Sequence, residues 1–358
     1  MELSVVIPTY GRPQQAAECV RRLGEQSLDP SRYEVLVGID GGAENAQDAR
    51  ETESAIREAW PSARATQLSI VPCPKSGQAA VRNELLERAV GATLVFLNDD
   101  MLPSPTLLEH HLCAQREAAA GRAPALIVGA SPWIVPADDR LFDRLIRETS
   151  MVFFYDRMDE ALADGTADAD HDWGFRHAWL LNLSAPAALV REAGGFSVFP
   201  ATYGYEDDEL AFRCRELFGT RVLYRPDAVA HHDHRLTPET YLERERRLGF
   251  AAWGFAGQAP GCALAMFGRD IRSEDELAYS RAFVERERAS ADRLRSTFVD
   301  LAEIPVDSVP SAGHPAGLPL VRALAEQHLL LKRWEWRRGL LESARAGAAP
   351  APELTHAE

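Results

Sequence analysis

The first hundred residues alternate short apolar runs with segments of helical period. LSVVIP (3–8), EVLVGID (34–40), LSIVP (68–72) and ATLVFLNDD (92–100) are apolar runs of strand length. Between them, 13–26, 46–60 and 77–90 carry apolar positions at helical spacing. Pro13 suits a first helical turn, and Ala80, Leu85, Leu86 and Ala89 are placed toward the core. Strands alternating with helices predict an α/β fold, a Rossmann-like, mostly parallel sheet flanked by helices. Such sheets bind ligands at the carboxyl ends of their strands. Three strands end there in polar residues: Pro8-Thr9-Tyr10, Asp40-Gly41-Gly42 and Asn98-Asp99-Asp100.

The middle of the chain is less regular. Residues 104–121 read as a helix and 125–131 as a strand. The stretch 156–172 is rich in Asp and Ala with little apolar content, which predicts a mobile surface loop. From Thr237 the pattern is mostly helical, with a Pro/Gly/Ser-rich linker at 302–319 and one strong helical run over 320–344. The expected organisation is a domain over 1–235 (halves 1–103 and 104–235), a helical extension over 236–344 and a disordered tail over 345–358. There is no internal repeat.

Charge narrows the partners. The 358 residues carry 39 basic against 54 acidic side chains, a net charge of −15, which argues against a nucleic-acid-binding face. Five scattered cysteines without a CxxC fit a reducing, cytoplasmic setting. No signal peptide or run of about 18 apolar residues is present. Membrane contact, if made, is therefore peripheral. KRWEWRR (332–338) fits either an anionic membrane surface or, the favoured reading, tryptophans packed on the catalytic domain.

Three clusters carry candidate chemistry. FLNDDM (96–101) ends a strand in adjacent carboxylates, hard oxygen ligands suited to Mg²⁺ or Mn²⁺ shared with a diphosphate. The plain alternative is a solvated turn capping the next helix. In YGYEDDELAFR (203–213), Glu206, Asp207, Asp208 and Glu209 open a helix. Each acid there gains from the helix dipole, yet clustered acids raise one another's pKa, which suits a general base. HHDH (231–234) lacks a zinc-site spacing but can lend one His to a divalent site. Its plain reading is a polar strand end with internal Asp–His pairing. Arg82 is a candidate diphosphate partner or a solvated helix residue, and Trp179 a ligand platform or a core residue. Asn182-Leu183-Ser184 matches a glycosylation sequon and is read as chance.

Taken in order, SVVIPTYGRP, GIDGG, GQAAVRN, FLNDD, GYEDDELAFR and AVAHH resemble the inverting family-2 glycosyltransferases of the GT-A fold, over about residues 3–235. The resemblance implies that Pro8, Thr9 and Arg12 line the nucleotide base pocket and that Asp40 contacts the base, by family habit uracil. It puts Arg82 and Asn83 near the diphosphate. Asn98, Asp99 and Asp100 match the DxD motif, with Asp100 on the metal. Asp207 matches the catalytic base, Glu206 and Asp208 the acceptor-facing acids, and His231 the metal-binding His. Trp179 and Tyr205 are further candidates for the acceptor site.

The implied reaction moves a sugar from a nucleotide-diphosphate donor to an acceptor hydroxyl, with Mn²⁺ or Mg²⁺ as cofactor. The acceptor class stays open among glycans, lipid-linked glycans and natural products, and so does homodimerisation. Asn98 departs from the family by replacing the first acid of the motif. The QxxRW motif and the membrane helices of processive synthases are absent, which predicts transfer of one or a few sugars. The 156–172 segment is expected to order as a lid over the donor. Competing readings are a nucleotidyltransferase of the same fold and a non-catalytic donor-binding subunit. TYGRP lacks the Gly-rich basic loop the first wants, and Asp207 with His231 count against the second.

Overall fold

The computed structural model describes residues 1–62, 67–121, 124–201 and 203–347. Most of the tail expected to be disordered lies outside the described residues. The chain divides into two compact units. The first comprises 1–134, 157–198 and 206–234; the second comprises 135–156, 199–205 and 235 onward. The last junction falls at His234–Arg235, but two inner segments join the second unit, which a single cut at 235 does not anticipate.

The first unit is built on a seven-stranded sheet. Its strands are β1 (Leu3–Thr9), β2 (Tyr33–Asp40), β3 (Leu68–Cys73), β4 (Thr93–Leu97), β6 (Ala125–Gly129), β7 (Asn182–Pro186) and β8 (Arg221–Arg225). Their order is β3-β2-β1-β4-β7-β6-β8. The first four run parallel, and β7 lies antiparallel between β4 and β6. β1 and β4 are buried at every residue, as strands covered on both faces should be. Each such Val, Ile or Leu contributes about 1.5–3 kcal/mol of burial.

Helices α1 (Pro13–Leu23), α2 (Ala46–Ala59), α3 (Gln78–Arg88) and α4 (Leu107–Ala120) follow in the expected alternation. α3 sits close on the sheet because Gly38 of β2 has no Cβ to meet Val81. Its buried face is Ala79, Val81, Arg82, Leu85 and Leu86, so an arginine lies where the apolar pattern placed only Ala and Leu. β4 ends at Leu97, three residues before the apolar run predicts. The three residues that follow are thereby freed from the ladder, and the chain enters a two-stranded sheet, β5 (Met101–Pro103) with β9 (Ala230–His232).

A buried polar knot ties the antiparallel side. His111 bonds Ser184 Oγ at 3.0 Å and Asn182 Oδ1 at 2.8 Å. Asn182 Nδ2 donates to the carbonyls of Ala130 and Ala228. Asn182 is fully buried, so the sequon is a structural element and no glycan acceptor. Burial pushes the His111 imidazole down to about 4.

The 156–172 segment is not the loop its composition predicts. α6 (Tyr155–Ala163) forms with Met158 as its single buried anchor, too little apolar content to register as a helical pattern. Tyr224 Oη holds Asp159 at 2.8 Å, and Arg221 and Arg225 donate to the carbonyls of Asp170 and Ala169. The lid expectation loses its basis with these ties. α7 (Ala187–Glu192) and α8 (Glu206–Phe218) complete the unit.

The second unit is helical: α5 (Leu141–Glu148), α9 (Pro238–Gln258), α10 (Pro260–Phe267), α11 (Glu274–Arg286), α12 (Arg288–Asp300), α13 (Gly317–Gln327) and α14 (Leu329–Ala346). α9 and α14 cross at backbone contact, Gly249 against the Trp336 carbonyl and Gly339 against that of Arg246. The run expected as one helix over 320–344 breaks at His328, whose Nδ1 bonds the Leu324 carbonyl at 2.7 Å. Trp334 Nε1 donates to the Val284 carbonyl and Trp336 Nε1 to Tyr205 Oη. The tryptophans of KRWEWRR thus pack within the second unit, Trp336 on Tyr205, a residue inside the expected 1–235 domain. Among the described residues no helix is long and apolar enough to cross a membrane.

Candidate active site

In the first unit one acid cluster follows β4 and another opens α8, and Arg82 bridges Asn98 of the first to Glu206 of the second. After β4, Asp99 and Asp100 are buried. Thr9, at the end of β1, donates its hydroxyl to Asp99 Oδ2 at 2.7 Å. Arg12 straddles the pair, with Nη2 at 3.2 Å from Asp99 Oδ1 and Nη1 at 2.8 Å from Asp100 Oδ2. Arg12 therefore holds the acids; it does not line a base pocket. Pro8 is buried within β1.

The β5–β9 pairing sets which histidine joins them. Met101 is opposite His232 and Leu102 opposite His231. Side chains alternate along a strand, so His232 and His234 share a face and His231 takes the other. His232 Nε2 lies 3.7 Å from Asp100 Oδ1 and His234 Nδ1 4.0 Å from Asp100 Oδ2. His232 also stacks on Trp133, centroids 4.2 Å apart, and on His234 at 5.7 Å. The histidine of this site is His232, not His231. Which histidine faces Asp100 is set by the β5–β9 register, which counting residues from Asp207 does not reveal.

Environment separates the two carboxyls. Burial pushes Asp99 up to about 6 against the pull of Arg12, and the Asp100 charge adds to the rise. Burial acts on Asp100 too, but His232, Arg12 and His234 outweigh it and hold that carboxyl below the usual range. A divalent ion suits part of this shell. Asp100 Oδ1 is buried and receives no hydrogen bond, and the imidazole facing it stands beyond hydrogen-bond range. No three His, Cys, Asp or Glu side chains among the described residues form a preformed cage. The set resembles a Mg²⁺- or Mn²⁺-type site completed by water and phosphate oxygens.

Asp40 ends β2 against the loop that carries Lys75, Ser76 and Gly77. It accepts from the Ser76 N–H at 2.8 Å, the Gly77 N–H at 3.3 Å and Lys75 Nζ at 3.2 Å. Lys75 Nζ also sits 3.0 Å from the centroid of the half-exposed Tyr10 ring. Lys75 and Tyr10 were missed as site residues, because a lone lysine in a loop and an aromatic after PT carry no distinctive spacing.

The second acid cluster opens α8. Glu206 Oε1 pairs with Arg82 Nη1 at 3.3 Å, and Arg82 Nη2 reaches Gln78 and Asn98, both at 3.0 Å. Arg82 is 2% exposed, so it is neither the solvated residue nor an open diphosphate partner. Asn83 clamps the backbone of Phe196, accepting from its N–H and donating to its carbonyl, both at 2.8 Å. It braces the Gly194–Gly195 turn. Glu209 is spent on Arg213.

Asp207 and Asp208 remain half-buried. Burial and the Glu206 charge push Asp207 up to about 6, opposed by Arg82. Burial and Asp207 raise Asp208 well above the carboxylate range, opposed by Arg176.

Trp179 is buried, its ring 5.5 Å from His177, which lies 5.9 Å from Trp173. Tyr205 takes φ 73 just before α8. Its ring stacks on Phe255 at 4.7 Å and its hydroxyl donates to the Leu248 carbonyl. Those contacts commit Tyr205 to the helical unit, so it forms no open sugar wall.

A model of glycosyl transferase family 2 matches residues 4–183, just over half of the chain. The chain belongs to glycosyl transferase family 2. Validoxylamine A glucosyltransferase of Streptomyces hygroscopicus subsp. limoneus is 30% identical over 226 residues, 59% of this chain and 47% of the relative. The counterpart from S. hygroscopicus subsp. jinggangensis is 29% identical over 226 residues, 59% of this chain and 50% of the relative. The chain thus spans about half the length of the curated relatives it matches. A mannosyltransferase from Pyrobaculum calidifontis, solved with GDP-Man and Mn²⁺, covers 97% of this family-2 chain. The match covers 86% of that structure at 16% identity and a TM-score of 0.50. That likeness concerns the fold, and the fold is GT-A.

Proposed function

We propose that this glycosyltransferase moves a sugar from a nucleotide diphosphate to an acceptor hydroxyl with inversion, using a divalent cation and Asp207 as general base. The observation that carries the reading is the contrast between the two acid clusters. Asp100 is held ionised beside His232, while Asp207 sits near neutrality with no ion-pair partner of its own. An acid ready for a cation and an acid ready for a proton are the two parts that inverting transfer needs.

Asp207 takes the proton of the acceptor hydroxyl as the new glycosidic bond forms. Asp208, a carboxyl whose environment favours its protonated form, offers a hydrogen bond to a neighbouring acceptor oxygen. Asp100 and His232 hold the cation, which when bound supplies positive charge to the departing diphosphate. Arg12, whose side chain is about one-third exposed, would have to release Asp100 for a cation to be held there.

Uridine is the favoured nucleoside. Asp40 and Lys75 set an acceptor and a donor 3.2 Å apart, matching the N–H and C=O edge of uracil, and Tyr10 offers a ring to stack on. Guanine carries the same edge, and the mannosyltransferase of like fold was solved with GDP-Man. Glucose is the favoured sugar through the glucosyltransferase relatives.

A thermal-shift panel of UDP, dTDP, GDP, CMP and ADP, each with and without Mn²⁺, tests the donor class. Saturating ligand at one hundred times its Kd stabilises the folded state by about 2.7 kcal/mol. UDP with Mn²⁺ is expected to give the largest shift. Equal shifts for all five nucleotides, or none, overturn the reading.

A further inference from the structure

Arg82 has a task that donor binding does not supply. Its guanidinium is buried and its three hydrogen-bond acceptors differ in charge. Gln78 Oε1 and Asn98 Oδ1 are neutral amide oxygens at 3.0 Å, and Glu206 Oε1 is the single carboxylate, at 3.3 Å. Nε finds no acceptor, and the group lies 5.9 Å from the Phe196 ring centroid. Among the described residues Glu206 is thus the one carboxylate that bonds Arg82, while Asp207 and Asp99 add negative charge nearby. An acid at position 98 or 78 would stand at the same distance as the amide it replaced and would take a share of that charge.

We infer that Arg82 is a positioning residue for Asp207, and that Asn98 and Gln78 are uncharged so that the field of Arg82 falls on Glu206 and Asp207. The inference rests on the reading of Asp207 as base. It also accounts for Asn98: the missing first acid of the strand-end motif preserves an arginine for the other cluster. Arg82 reaches the start of α8 through Glu206, the residue before Asp207, and a nearby opposite charge lowers a carboxyl pKa. Burial and Glu206 raise Asp207 to about 6, opposed first by the Asp208 N–H at 2.9 Å and then by Arg82, so that a useful fraction is ionised at neutral pH. The remaining charges are Asp208 on the same helix, which Arg176 of the 175–177 turn opposes, and Asp99, which faces Arg82 from the end of β4.

The test is a ¹³C-carboxyl NMR titration of the full chain labelled at aspartate, with EDTA present. The Asp207 signal is assigned by its loss in Asp207→Asn. Gln78→Glu and Asn98→Asp are each expected to raise the Asp207 midpoint by about one unit, and Arg82→Lys to leave it within a few tenths. Gln78→Glu made in an Arg82→Gln background is expected to add a smaller shift than in the parent, because the effect runs through the arginine. If Asn98→Asp fails to fold, Gln78→Glu on the half-exposed side of α3 decides. An unmoved midpoint in folded Gln78→Glu, or an equal shift with and without Arg82, overturns the inference. Should Asp207→Asn retain transfer, the base assignment falls while the titration still judges the coupling.

Discussion

The two acid clusters have similar composition and opposite conditions. Asp99-Asp100 follows a buried strand and meets three cationic or protonatable groups, Arg12, His232 and His234. Asp207-Asp208 opens a helix, and its nearest arginine is engaged by Glu206. The first arrangement holds Asp100 below the usual carboxylate range; the second pushes Asp207 up to about 6 and Asp208 well above its ordinary value. Carboxylates acquire different chemistry from where their counter-charges stand. On the proposed reading, one cluster serves a cation and the other a proton.

The largest effect is expected from removing the proton acceptor. Asp207→Asn should lower turnover by about 10²–10⁴-fold, while the UDP and Mn²⁺ thermal shift persists. A steady-state transfer assay beside the shift assay checks it, and near-normal turnover would erase the distinction between the clusters.

Histidine substitutions sharpen the other side. His232→Ala should weaken Mn²⁺ binding in the presence of UDP by about 10–100-fold, the range known for perturbed metal sites. His231→Ala should change it little. Mn²⁺ electron paramagnetic resonance reads the free ion directly, and the reverse ranking would restore His231.

That pair of histidines shows how far the sequence was legible. The alternation of strands and helices, the strand-end acids and the acids of α8 were all visible as local pattern. His231 against His232 depended on the register of β5 with β9, a pairing across more than a hundred residues. Arg12 and Asn83 likewise took partners set by tertiary contact, the acid pair and the Phe196 backbone. α6 was hidden because one buried methionine was enough to anchor it.

The pH dependence follows from Asp207 at about 6. The rate should fall below that pH as the base gains its proton, giving an acid limb in kcat/KM with slope near one. A flat profile between pH 5 and 8 would argue for a different base.

The smallest effect concerns stability. The folded-state pKa of Asp207 lies above its unfolded value, so the fold binds the proton more tightly. The site is therefore favourable at low pH and loses stability as pH rises through about 6. Asp207→Asn should raise Tm by a few degrees at pH 8, less at pH 5, and hardly below the unfolded pKa of about 3.9, where both states carry a neutral carboxyl. Differential scanning calorimetry at both pH values checks the sign.

The division of labour between the clusters is tested most directly without any acceptor. The UDP-dependent thermal shift is measured with and without Mn²⁺ on the wild type, Asp100→Asn and Asp207→Asn. The account predicts a metal-dependent shift in the wild type, its loss in Asp100→Asn and its full retention in Asp207→Asn. A metal-dependent shift that survives in Asp100→Asn, or disappears in Asp207→Asn, would contradict it.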